Sequence, residues 1–148
     1  PGRIWSVDRC RGGLPRQPHG LGKLREMVAT GLSESPQAYR AKLLEQSDSQ
    51  IDAWATGSLR DMAKRKGIIA VIDEFSHAAH LDEDGLAGAY TLGGGPAATM
   101  GRDAEGRLLL PAVSLWCLVP GLRAADPKGG RERLVAFLVA TFEEVVYI

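Results

Sequence analysis

Ile68-Ile69-Ala70-Val71-Ile72-Asp73-Glu74 comes directly after Gly67 as five apolar residues closed by two carboxylates. The run is apolar at every position rather than at alternate ones, which is the pattern of a strand buried on both faces of a parallel sheet. Such a strand requires helices on both sides. The expected architecture is therefore α/β, a three-layer sheet with helices on both faces. A second apolar strand is expected at Ala112–Val119, stopped by Pro120-Gly121. Asp73 and Glu74 then lie just past a strand's C-terminal end, where open α/β sheets place their ligands.

Upstream of this stretch the chain reads as helical. Ser47 and Gln50 make a capping box for a helix whose Ile51, Trp54, Ala55, Ser58, Leu59 and Met62 share one face. Lys64, Arg65 and Lys66 close it at the negative end of the helix dipole, and Gly67 supplies the stop. Ser35-Pro36 reads as an N-cap and first helical residue, opening a helix to about Glu45 with Tyr39 and Leu43 on one face. Leu21, Leu24, Met27, Val28 and Leu32 predict an earlier short helix, preceded by a Gly/Pro-rich basic arm over residues 1–20 in which Ile4–Val7 is the one strand candidate.

Downstream, Ser76–Leu81 reads as a helical turn and Ala87–Leu92 as a strand or helix end. Asp103-Ala104-Glu105-Gly106 is a turn joining Thr99–Arg102 to Arg107–Leu110. Leu134, Val135, Leu138, Phe142 and Val145 predict a helix from Arg131 to Glu144, with the last four residues extended.

The chain has 148 residues, 45% of them hydrophobic and 24% charged, which fits one folded α/β domain over residues 21–148. No apolar run approaches the roughly 18 residues of a membrane span. Pro1-Gly2, with no apolar leader behind it, predicts a chain that is processed, tagged or cut from something longer, in the cytoplasm. Cys10 and Cys117 lie in unlike contexts and read as reduced thiols. Net charge is zero but unevenly spread. Residues 1–66 carry 12 Lys and Arg against 7 Asp and Glu, and residues 67–148 carry 6 against 11. The basic first half is a candidate nucleic-acid face, although local pairing of solvated charges gives the same totals.

Aliphatic residues followed by Asp-Glu form the Walker B pattern, in which Asp73 would hold the water shell of Mg²⁺ and Glu74 would polarise an attacking water. The alternative is a core strand leaving into a solvated acidic turn. A phosphate loop should precede it, and His19-Gly20-Leu21-Gly22-Lys23-Leu24 runs directly into the first helix. The full pattern asks for Gly where Gln17 stands and for Ser or Thr where Leu24 stands. Glu74, His77 and His80 could also supply metal ligands, against a reading as a solvated polar turn. Gly93-Gly94-Gly95-Pro96-Ala97-Ala98 fits G-x-G-x-x-A in letters, but lacks the strand and helix that a dinucleotide site needs. Gly31-Leu32-Ser33-Glu34-Ser35 misses the second glycine of a nucleophile elbow.

The order Gly20-x-Gly22-Lys23, Ile72-Asp73-Glu74-Phe75, Ala89-Tyr90-Thr91-Leu92-Gly93-Gly94-Gly95 and Arg102-Asp103-Ala104-Glu105-Gly106 resembles the ATPase core of phage and plasmid primase-helicase proteins, over roughly residues 19–123. The resemblance implies a P-loop NTPase-like domain that binds ATP and Mg²⁺ and works on nucleic acid as a homo-oligomer. In it, Gly20, Gly22 and Lys23 would bind phosphate, Asp73 the Mg²⁺, and Glu74 would be the catalytic acid. It also implies an arginine finger, with Arg123, Arg131 and Arg133 as candidates. A non-enzymatic α/β binding or regulatory module contacting protein or nucleic acid is the alternative.

Overall fold

The structure, a computed structural model, describes residues 35–146. Gly20, Gly22 and Lys23, the arm over residues 1–20, the first predicted helix and Cys10 lie outside the described residues.

Ser35 accepts a hydrogen bond from the Ala38 N–H and opens α1 (Pro36–Leu44), which buries Tyr39 and Leu43. The Ser47–Gln50 capping box opens α2 (Asp48–Lys66) as expected from sequence, and its predicted apolar face is buried throughout. Gly67 ends α2 with φ +92° and ψ 161°, a conformation that only glycine adopts without strain.

Beyond Gly67 the chain does not form a strand. Residues Ile68–Ala78 form α3, and Ser114–Ala125 form α5, so both segments expected to build the sheet are helical. Among the described residues the only strands are β1 (Gly101–Arg102) and β2 (Leu108–Leu109), an antiparallel pair with Gly101 opposite Leu109. The α/β expectation is therefore corrected to a helical fold carrying one small hairpin.

The physical reason lies in the period. Ile68, Val71, Ile72, Phe75 and Ala79 recur at the spacing of a helix face. Val71, Ile72, Phe75 and Ala79 are buried and Ile68 packs against them, while Ile69 is 58% exposed. In α5, Leu115, Leu118, Val119 and Leu122 make the same stripe. Pro120 and Gly121 sit inside that helix rather than after it. Pro120 is exposed, and its missing N–H falls on the outer side, away from the buried stripe.

The remaining elements are α4 (Glu83–Leu92), a 3₁₀ turn (Ala97–Thr99), α6 (Gly130–Ala140) and α7 (Phe142–Val146). The predicted C-terminal helix is thus two helices, divided at Thr141. α2 and α6 form the centre, with α1, α3 and α5 packed on them. Phe75 and Phe137 meet edge to face at 5.0 Å, Tyr39 and Phe142 pack at 4.9 Å, and the Trp54 Nε1–H donates to the Tyr39 hydroxyl at 2.9 Å inside the core. α4 lies tightly against α5. A Cβ on Gly121 would fall 1.7 Å from the Ala89 carbonyl oxygen, and one on Gly93 would fall 2.0 Å from the Cys117 carbonyl oxygen. No helix among the described residues is long and apolar enough to cross a membrane.

Candidate functional site

Successive residues on a helix point about 100° apart, so placing Asp73 and Glu74 on α3 separates them. Glu74 turns toward the end of α2, where Lys66 Nζ lies 2.6 Å from it and 2.7 Å from Glu144. Burial raises the Glu74 carboxyl, reinforced by its hydrogen bond with Glu144 and opposed by Lys66. For Glu144, burial acts upward, but the hydrogen bonds to Glu74 and Lys66 outweigh it and the carboxyl goes down. The two acids thus share Lys66, and Glu74 is the one that keeps a proton longer.

Asp73 faces elsewhere. It lines a cleft of about 190 Å³ between α3, α4 and the hairpin. The apolar floor comes from Ile72 and Leu86, with Leu108, Leu109 and Leu110 closing the far side, and Ile69 and Leu81 flank the mouth. Three further carboxylates, Asp82, Glu83 and Asp103, stand around it with Arg107. The hairpin is positioned by Arg102, which grips both oxygens of Glu83 at 2.7 and 2.9 Å and lowers that carboxyl. Asp103 accepts the Arg107 backbone N–H at 2.7 Å and its Nε at 2.7 Å, and is likewise held low, chiefly by the backbone bond. Asp82 caps α4 through the Gly85 N–H at 2.7 Å. Asp73 has no ion-pair partner among the described residues, although Arg107 feels its charge.

An acid pair facing one ion, as the Walker B pattern requires, does not form, because Asp73 lines the cleft while Glu74 is bound to Lys66. Glu74, His77 and His80 do not converge, and among the described residues no three His, Cys, Asp or Glu side chains gather to hold a metal. The arginine-finger candidates hold the fold. Arg123 binds Asp52 at 2.9 Å, and Arg131 binds Asp48 at 2.7 Å and the Leu44 and Gln46 carbonyls. Arg133 binds Asp126 at 2.9 Å and the Ala79 and His80 carbonyls at the end of α3. Tyr90 of the glycine-rich stretch bonds Thr99 and the Pro96 carbonyl, which anchors the 3₁₀ turn.

Several described cations of the basic half are paired with acids: Lys64 with Asp61 on the same helix, and, across the fold, Arg40 with Glu132 and Arg65 and Lys66 with Glu144. Sequence reasoning missed the cleft residues Ile69, Leu81 and Leu108–Leu110. The available signal was Ile69 itself, which falls off the stripe set by Ile68, Val71, Ile72 and Phe75. Compared with known protein families, with curated protein sequences and with solved structures, the chain matches none.

Proposed function

We propose that this chain is a non-catalytic helical binding module whose α3–α4–hairpin cleft receives a side chain of a polypeptide partner. The observation that carries the reading is the parting of Asp73 from Glu74, which leaves one acid without an ion-pair partner among the described residues, beside an apolar floor. A cleft of about 190 Å³ is smaller than the roughly 300–1,000 Å³ typical of small-molecule and cofactor sites. It suits one or two aliphatic side chains. Ile69, 58% exposed at the mouth, offers the apolar area that a partner would cover.

The competing proposal is an ATP- and Mg²⁺-binding domain, and one pair of experiments separates the two. ATP is titrated, with and without Mg²⁺, into the full chain and into Lys23→Ala and Asp73→Asn. The binding-module reading expects no saturable signal that these substitutions weaken, and Mg²⁺-dependent binding lost in both would displace it. In parallel, a displayed library of random peptides is panned on the full chain and counter-panned on Ile69→Ser. Enriched peptides should lose binding to Ile69→Ser. Peptides that bind both proteins equally would sink the cleft as the site.

A further inference from the structure

The charges around the cleft do not cancel. Glu83 is neutralised by Arg102 and Asp103 by Arg107, each through contacts of 2.7 Å. Asp82 has the Gly85 N–H as its hydrogen-bond donor, and Asp73 has no ion-pair partner among the described residues. Both border the same cleft, and both are exposed to solvent. Among the described residues the mouth therefore presents Asp73 and Asp82 without an ion-pair partner beside Ile69 and above an aliphatic floor, with Arg107, bound to Asp103, the one cation in the lining. This pairing of an apolar pocket with an acidic rim selects by charge as well as by shape.

Resting on the polypeptide-docking reading above, we propose that the partner is a basic amphipathic peptide segment that seats an aliphatic side chain on the Ile72–Leu86 floor and places a flanking Lys or Arg at Asp73 and Asp82. The side chain supplies most of the affinity through burial, and the cation sets the partner's identity and the rate of encounter. An acidic segment of the same shape meets two unpaired like charges and is rejected. Nucleic acid is disfavoured at this face for the same reason.

The test uses the full chain and three series of fluorescein-labelled twelve-residue peptides, each with a central Leu flanked by Lys, by Ser or by Glu. Binding is read by anisotropy at low and high salt. The Lys series is expected to bind best and to weaken as salt rises. Asp73→Asn should weaken it about three- to fivefold and Ile69→Ser at least about tenfold, with unchanged circular dichroism for both exposed-site variants. Equal binding of all three series, still lost in Ile69→Ser, would overturn the charge selection and leave the docking reading standing. Failure of every series, or binding indifferent to Ile69→Ser, would overturn both. Binding of a single-stranded oligonucleotide, or self-association seen by sedimentation, that Ile69→Ser abolishes would assign the cleft another occupant and overturn the proposal.

Discussion

At Gly121 one methyl group is enough to force two helices apart. A Cβ there would stand 1.7 Å from the Ala89 carbonyl oxygen and 2.6 Å from its carbon, so backbone rather than a flexible side chain would have to move. Gly121→Ala should cost about 3 kcal/mol or more in urea unfolding. Gly88 on α4 has nothing within 4 Å of the same construction, and Gly88→Ala should be neutral or gain up to about 1 kcal/mol. Equal effects at the two positions would contradict the close α4–α5 crossing. In the core, Tyr39 is fully buried and burial pushes its phenol far up, so it stays neutral and accepts the Trp54 indole N–H. Tyr39→Phe should lose about 1–2 kcal/mol, checked by the same denaturation and by a shift of tryptophan fluorescence.

The joints between elements carry the pH dependence. At the turn from α5 to α6, Asp126 accepts the Gly129 N–H at 2.9 Å and the Arg133 Nε at 2.9 Å, and Arg133 reaches on to the carbonyls that end α3. The arginine bond, aided by the backbone one, holds the Asp126 carboxyl below its ordinary value. A carboxyl depressed in the folded state stabilises above its unfolded pKa of about 3.9, and that contribution is lost as pH falls through the folded value. Asp126→Asn should therefore lower the urea midpoint at neutral pH, with the gap closing in acid. A gap that is constant with pH would place the effect in packing instead. These joints also divide what is legible in the sequence from what is not. The caps at Ser35 and Ser47 and the turn at Asp103–Gly106 are legible because each rests on local chemistry within four residues. The type of α3 is not, because five apolar residues satisfy a buried strand and a buried helix alike. The helical spacing emerges only when Phe75 and Ala79 are counted with them. In α5, Pro120-Gly121 looks like a stop, whereas the glycine is there to let α4 approach. The candidate site divides in the same way: Asp73 lies in a cleft, but its supposed partner goes to Lys66 with the turn of the helix.

Across the described molecule, α1, α3, α5 and α7 pack on the α2–α6 centre and α4 packs on α5, and the Phe75–Phe137 contact joins α3 to that centre. Phe137→Ala should cost about 3–5 kcal/mol and destabilise every element together, since α6 touches α1, α2, α3, α5 and α7. Far-ultraviolet circular dichroism should show the double minimum of helix, and a single sheet-like minimum would contradict the fold. The α4–α5 crossing also governs access to Cys117. That thiol lies buried on the α5 side of it, 4% exposed, and burial raises it, so it reacts poorly while the helices stay packed. In a Cys10→Ser background, alkylation at this sulfur can proceed only during moments when the two helices separate. Its rate is therefore a clock for that opening, and Gly121→Ala should make the clock run fast.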